Sequence, residues 1–346
     1  MSDFAKLTQR LREGHNLSHH EVAKAVELLA SPDQTPESKS DFLVALAAKG
    51  ETTREIAAFA QELRERSIAV PLDAETRAGP ILDVCGTGGD QLNTFNISTA
   101  VGLVCAAAGV RVAKHGNRAI TSQAGSADVL EALGIPTALS PADAAASLRD
   151  RNFAFFFAQK YHPAFQHIAP ARKLCAERGQ RTIFNIMGPL LNPARPSAQL
   201  VGVPRPQFCQ PVAVVLQSLG LRQAMVVCGQ AGDAFLDELS TIGPSTTASF
   251  EFGAEPRSGT LSPTEVEIPF STLADLKGGD KTVNAGIIRA ILEGRERGAK
   301  RDAVVFNAGA ALYVAGRCAT IREGTVLAGA AIDSGAAGAK LKQLSA

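Results

Sequence analysis

Four short apolar runs limit most strongly what this chain can become: "ILDV" (81–84), "VRVA" (110–113), "FAFFFA" (153–158) and "AMVVCG" (224–229). Turn residues bound each run, and helical segments such as "ADVLEAL" and "PADAAASLRD" separate several of them. Buried strands alternating with helices predict a largely parallel sheet covered on both faces. "ASFEFG" (248–253) and "EVEIPF" (265–270) alternate polar and apolar residues and read as antiparallel additions near an edge.

No strand pattern precedes residue 80. "SHHEVAKAVELLAS" opens on Ser18 with Glu21 three residues later, a capping box, and Val22, Ala25, Val26 and Leu29 form one helical stripe. "PESKSDFLVALAAKG" and "TTREIAAFAQELRERS" repeat the design, the former closed by Gly50. The segment "KYHPAFQHIAPARKLCAERG" (160–179) is again helical, broken by Pro163 and Pro170, and is expected to return to this helical unit. The expected domains are therefore a helical unit over 1–72, joined by segment 160–182, and an α/β unit over 73–159 and 183–346.

Charge narrows the function. Lys+Arg total 35 against 34 Asp+Glu, a net charge of +1, so no basic field exists to hold nucleic acid. Aromatic residues are only 5% with no Trp, which disfavours a base-stacking platform. The six cysteines (Cys85, Cys105, Cys175, Cys209, Cys228, Cys318) form no C-x-x-C pair and read as small hydrophobes in a reducing compartment. "MSDFAKLTQRLREG" lacks an apolar signal core, and the longest weakly polar run, about 14 residues, falls short of the ~20 a membrane helix needs. A cytoplasmic protein without membrane or nucleic-acid partners is expected.

Chemistry concentrates in loops that follow strands. In "CGTGGDQLNTFNISTA" (85–100), Gly86, Gly88 and Gly89 form a turn between a strand and a helix beginning near Ser98. Free amides and the positive helix end converge there, and glycines let an anion approach the backbone. Asn96, Ser98 and Thr99 add neutral donors and are expected to double as N-caps. The stretch is neither a Walker loop nor a dinucleotide fingerprint. After the second strand, Lys114, His115, Asn117 and Arg118 gather at a strand end, followed by the small residues of "SQAGSAD". In "FLDELSTIGP", adjacent Asp237 and Glu238 point in different directions; they are read as exposed acids able to bracket two hard cations held by phosphate oxygens. His162, Arg172 and the Gly188-Pro189 turn could line a second, less phosphate-like pocket, with His167 left to packing or surface. No arrangement reads as a covalent nucleophile, so no catalytic side chain is assigned.

Taken together and in order, "GTGGD…NTFNIST", "KHGNR", "GSADVLEALG", "YHPA", "RTIFN", "GPLLNPA" and "DE…GP" resemble the anthranilate phosphoribosyltransferase family. The motifs span residues 83–244, and "LS…E…A" and "ALAAKGET" resemble that family's dimerisation helices. The resemblance implies an α/β protein of the nucleoside phosphorylase/phosphoribosyltransferase type, with a small all-helical domain and a mainly parallel sheet flanked by helices. It implies transfer of the phosphoribosyl group of 5-phosphoribosyl-1-diphosphate (PRPP) to anthranilate in tryptophan biosynthesis, with Mg²⁺, two ions per subunit, and a homodimer built through the N-terminal helices. Matching positions put Gly86, Gly88, Gly89, Asp90, Thr94, Asn96, Ser98, Thr99, Lys114 and Ser126 on the donor. Ser98, Asp237 and Glu238 fall on the metal, and Gly86, His115, Asn117, His162, Arg172 and Gly188 on anthranilate.

Four features depart from the family pattern. Gln91 stands where Gly is frequent, Gln123-Ala124 replace a frequent Lys-Ser, and Leu191 replaces a usual Thr. The segment from Arg172 to Arg181 is longer, leaving Arg172 and Arg178 as alternatives for the substrate carboxylate. Two rival functions remain: a pyrimidine nucleoside phosphorylase, against which the Asp237-Glu238 pair and the full "NTFNIST" run argue, and a non-catalytic nucleic-acid-binding relative, against which the charge argues.

Overall fold

The computed structural model describes residues 2–119 and 123–346. It begins with helices α1 (Asp3–Arg12), α2 (His19–Ala30), α3 (Pro36–Lys49) and α4 (Thr53–Glu65). Ser2, Ser18, Thr35 and Thr52 each accept a hydrogen bond from the backbone N–H three residues on, satisfying an amide that the helix itself cannot. Glu55 completes the α4 capping box and also accepts from Leu17 N at 2.8 Å and pairs with Lys49 at 2.7 Å, which ties α3 and α4 to the loop between α1 and α2.

After α5 (Ala74–Ala78) the texture alternates: β1 (Ile81–Gly86), α6 (Ile97–Ala107), β2 (Arg111–Gly116), α7 (Ser126–Ala132), α8 (Pro141–Arg151) and β3 (Phe153–Phe157). Then come α9 (Ala158–Tyr161), α10 (Phe165–Glu177) and α11 (Phe184–Met187), followed by β4 (Ala198–Gly202), α12 (Cys209–Ser218), β5 (Gln223–Ala231), β6 (Ala234–Leu236), β7 (Ser245–Glu251) and β8 (Arg257–Leu261). The chain closes with α13 (Lys281–Leu292), α14 (Ala299–Val314), α15 (Ile321–Asp333) and α16 (Ala336–Leu344).

The strand order is β3-β2-β1-β4-β5-β7-β8, with β6 on β5. Pairing is parallel from β3 to β5 and antiparallel at β6, β7 and β8. The chain winds outward from β1 to β3 and returns to β4 on the other side of β1. A crevice outside the C-terminal ends of β1 and β4 follows, the position where open α/β sheets bind ligands. One sheet face packs on α6, α7 and α13–α16. The other packs on α12, and its apolar cluster runs without interruption into α1–α4 and α10. Period-two alternation is visible in β3: Phe153 and Phe155 enter the first core, while Ala154 and Phe156 join a smaller cluster with Leu148 and Tyr161.

Three details differ from the sequence reading. "EVEIPF" is not a strand: Ser262 caps a 3₁₀ turn over Pro263–Val266, Glu267 turns left-handed at φ 62°, and Pro269 lacks an N–H for a ladder. The edge strand is β8 instead. Strand β4, "AQLVG", was not marked by its pattern, because its buried Gln199 interrupts a short apolar run. Finally, Pro170 does not break α10 but lies within it. Pro170 and Gln166 are both exposed, so the Gln166 carbonyl that loses its partner faces water. Segment 165–177 packs on α2 and α3, and the buried Lys39 ammonium holds both sides, donating to Ser31 O at 2.7 Å and His167 O at 2.8 Å. Among the described residues no helix is long and apolar enough to cross a membrane.

Candidate active site

The loop between β1 and α6 takes an unusual path. Gly88 (φ 73°), Gln91 (φ 58°) and Asn93 (φ 55°) are all left-handed. Only glycine adopts that region without a steric cost, which explains the frequent Gly at the Gln91 position in the family pattern. The loop is moored at its far end: Phe95 N donates to Leu276 O at 3.1 Å, Thr94 bridges to Lys277, and the Asn96 side chain spans Ala124 O and Asn284. Asn96, Ser98 and Thr99 do not cap α6 with their own side chains, contrary to the sequence expectation. Asn96 is occupied by Ala124 and Asn284, and the Thr99 hydroxyl is buried without a partner among the described residues.

The cap comes from the acidic pair instead. Ser98 N donates to Glu238 Oε1 at 3.0 Å, and Gly88 N donates to Asp237 Oδ2 at 2.6 Å. Two backbone N–H groups thus hold two carboxylates, which diverge to the start of the β1–α6 loop and to the first turn of α6. Their expected exposure was wrong: Asp237 is 7% and Glu238 9% exposed. Bare glycines make the seat. A Cβ on Gly202 would lie 1.5 Å from Asp237 O, one on Gly86 2.6 Å from Asp237 Oδ2, and one on Gly229 2.5 Å from Glu238 O. Burial raises the pKa of Asp237 well above the carboxylate range, with Asp90 and Glu238 adding repulsion. Burial pushes Glu238 up to about 8 against the opposing pull of Lys114. Lys114 itself is buried, donating to Val84 O at 2.7 Å and Ser98 Oγ at 3.3 Å.

These groups suit Mg²⁺. Buried carboxylates held above their normal pKa gain from a cation, and Ser98, whose N–H holds Glu238, carries its hydroxyl on the same residue. Among the described residues no three ligating side chains converge on one point. Mg²⁺ needs no such cluster when one or two carboxylates are joined by substrate phosphates and water.

Beyond β2 the lining becomes aromatic. His115 Nδ1 donates to Gly188 O at 3.3 Å, leaving Nε2 as an acceptor; among the described residues neither it nor His162 Nε2 has a partner. The rings of His115 and His162 meet edge-on at 5.3 Å, His162 meets Phe165 at 5.5 Å, and Phe165 meets Phe184 at 5.6 Å. Arg172 stacks over Phe184 at 5.2 Å. Arg178 is exposed at the end of α10 and takes no part in this row. Burial drives the pKa of His115 down to about 3 and of His162 to about 4, so both rings are neutral. A Cβ on Gly188 would meet nothing within 4 Å, so this turn leaves open space.

Asn117 and Ser126 lie where β2 gives way to α7, Ser126 Oγ donating to Asn117 O at 3.4 Å. Arg118, grouped with them from sequence, is tied to Asp128 and Glu131 at 3.0 and 2.7 Å instead. Sequence reasoning missed the support below. Asp83, fully buried in β1, accepts from Asn192 Nδ2 at 2.9 Å, Gln199 Nε2 at 3.4 Å and His115 N at 3.4 Å. Gln199 also donates to Pro189 O at 2.7 Å, so one carboxylate ties β1, β2, β4 and the Gly188 turn together. An acid inside the apolar run "ILDV" was the only available signal.

The family model for the "Glycosyl transferase family, a/b domain" matches residues 78–338, and that for the "Glycosyl transferase family, helical bundle domain" matches 5–67. The chain is 45% identical over 335 residues to anthranilate phosphoribosyltransferase of Methanosphaerula palustris, covering 97% of this chain and 96% of that one. It is 45% identical over 344 residues to the enzyme of that name from Parvibaculum lavamentivorans, covering 99% and 97%. Among solved structures, anthranilate phosphoribosyltransferase of Thermus thermophilus superposes with a TM-score of 0.88 at 38% identity, covering 98% of each chain. The Saccharomyces cerevisiae enzyme in complex with PRPP and Mg superposes at 0.87 with 25% identity, covering 99% and 96%.

Proposed function

The chain belongs to the anthranilate phosphoribosyltransferase family, and from that premise we propose how its crevice moves a phosphoribosyl group from PRPP to anthranilate. The observation that carries the reading is the pair of anion sockets, Gly88 N–H and Ser98 N–H, each holding a carboxylate of the Asp237-Glu238 segment. An anion socket at a strand-to-helix turn suits a diphosphate equally well. Gly86, Gly88, Gly89, Asp90, Thr94, Asn96, Ser98, Thr99, Lys114 and Ser126 would surround the donor. Asp237, Glu238 and Ser98 would hold Mg²⁺, two ions per subunit, which neutralises charge on the departing diphosphate when bound. The acceptor would lie along the aromatic row, against His115, Asn117, His162, Arg172, Gly188 and the edge of Gly86.

The bond from the ribosyl anomeric carbon to the diphosphate oxygen breaks, the anthranilate nitrogen forms the new bond, and the amine then loses a proton. No protein nucleophile is needed. Rate comes from holding the two substrates in line and from donors aimed where negative charge accumulates. His115 and His162 are neutral and their buried Nε2 atoms have no partner among the described residues, so beside a bound amine they could accept a hydrogen bond but would not repel it as cations would.

The helical unit 1–72 with segment 160–182 would form the homodimer contact, and sedimentation of the purified chain checks that. The free, mostly buried cysteines fit a reducing, cytoplasmic setting. The deciding assay mixes protein, PRPP, Mg²⁺ and anthranilate and follows the loss of anthranilate fluorescence. Loss that requires both PRPP and Mg²⁺ supports the reading, and its absence, with nucleoside phosphorolysis in its place, would refute it.

A further inference from the structure

The loop between β1 and α6 is held from far along the chain. Residues 276–280, "LKGGD", lead into α13 and lie against the loop as a strap: Phe95 N donates to Leu276 O at 3.1 Å, and Gly278 N donates to Asn93 O at 2.9 Å. The approach is close because Gly278 is bare, a Cβ there falling 2.7 Å from Phe95 N. Asn284, in the first turn of α13, is only 3% exposed and adds a side-chain link. Its Oδ1 accepts from Gly279 N at 2.8 Å, and its Nδ2 donates to Asn96 Oδ1 at 2.9 Å. Asn96 Nδ2 in turn donates to Ala124 O at 3.2 Å, two residues before Ser126.

An amide side chain has a direction, and this relay leaves no choice of it. Gly279 N–H can only donate, so the atom of Asn284 that meets it must be oxygen, which turns the nitrogen toward Asn96. Ala124 O can only accept, so the atom of Asn96 that meets it must be nitrogen. Both ends are backbone groups, and they agree on one arrangement in the middle. Asn96 is half-buried, and only one of its two Nδ2 hydrogens has a partner among the described residues. It therefore offers the crevice an N–H, while the oxygen that would oppose a phosphate is turned toward α13. The strap does not need this link, since its bonds at Phe95 and Asn93 are between backbones. We propose that Asn284 is a positioning residue for the donor: it fixes the direction of the Asn96 amide, so that Asn96 presents N–H and not C=O to an oxygen of PRPP. The proposal rests on the donor reading given above, in which Asn96 lies against PRPP.

The test is a double-mutant cycle in the full chain: parent, Asn284→Leu, Asn96→Ala and the two combined. Asn284→Ala is a second form of the first change, in case the branched side chain crowds the strap. Calorimetric titration with PRPP and Mg²⁺, KM values for both substrates and melting temperatures are measured on each. Asn284→Leu should weaken PRPP binding roughly tenfold, the scale of one oriented hydrogen bond, and leave the anthranilate KM within about twofold. In the Asn96→Ala background the same change should weaken binding by less than about twofold, because the group it orients is gone. A merely structural role gives another pattern: losses that multiply in the double variant, or both substrates weakened alike. Either pattern, unchanged PRPP affinity, or failure of both Asn284 variants to fold overturns the proposal. A parent that binds PRPP without transferring it defeats the transfer reading alone, and the cycle still decides the role of Asn284. A parent that binds no PRPP defeats the donor reading and this inference with it.

Discussion

Arg172 is half-buried on the face of Phe184, so its guanidinium is already oriented before any acceptor arrives. A charge-assisted contact of that kind contributes ~1.5–3 kcal/mol. Arg172→Ala should therefore raise the anthranilate KM roughly ten- to a hundredfold and leave the PRPP KM almost unmoved. Arg178→Ala, at an exposed helix end, should change neither; if it alone gives the acceptor defect, the placement of Arg172 is wrong. The acidic pair makes a second residue-scale test. In Asp237→Asn with Glu238→Gln, amide oxygens can still accept from Gly88 N and Ser98 N, while two disfavoured buried charges disappear. Turnover should fall by orders of magnitude with the melting temperature unchanged or higher. A marked loss of stability would mean that the charges hold the fold together.

At the scale of elements, the site is a stack of strand ends pared down to glycine. The segment after β6 can cross β1, β4 and β5 only because Gly86, Gly202 and Gly229 carry no Cβ. Gly202→Ala would put a methyl 1.5 Å from the Asp237 carbonyl, a contact that only a backbone shift can relieve. We expect a lower melting temperature together with a raised Mg²⁺ requirement and PRPP KM. Gly188→Ala is the matched comparison for stability: a methyl there meets nothing within 4 Å, so melting should be unaffected while acceptor binding reports whether the space is used. The loop itself shows what its own residues cost. Gln91 at φ 58° pays a left-handed penalty on the order of 1 kcal/mol that glycine would avoid.

For the whole molecule, stability against pH carries the imprint of two buried histidines. His115 and His162 have folded pKa values of about 3 and about 4, below their ordinary 6.5. Below pH 6.5 the unfolded chain takes up protons that these buried rings refuse. Their contribution is thus complete above pH 6.5 and is lost as pH falls toward 4, by up to about 1.4 kcal/mol per pH unit for each ring. Asp83 works in the opposite direction, because its folded pKa is raised to about 6 and it binds a proton more readily in the native state. The comparison must therefore be between parent and the His115→Gln, His162→Gln double variant. The variant should show a flatter fall in denaturant-measured stability between pH 6.5 and 4, and identical slopes would show that the rings are not held neutral.

What the sequence determined by itself is what neighbours along the chain decide. Capping boxes at Ser18 and Thr52, the period of the helical stripes, the strand runs and the glycine turn of 86–89 all act within a few residues, where local geometry rules. The ordered motifs pointed to the family for the same reason, each being a local loop. Tertiary structure alone decided the rest. Asp237 reaches Gly88 across 149 positions, which turned a pair read as exposed into buried acids capping α6 and the glycine loop. It placed the hidden carboxylate of Asp83 beneath His115 and let β4 form around a buried Gln199. Burial and long-range approach arise from how the layers pack, and no periodicity of one segment records which distant group will remove it from water.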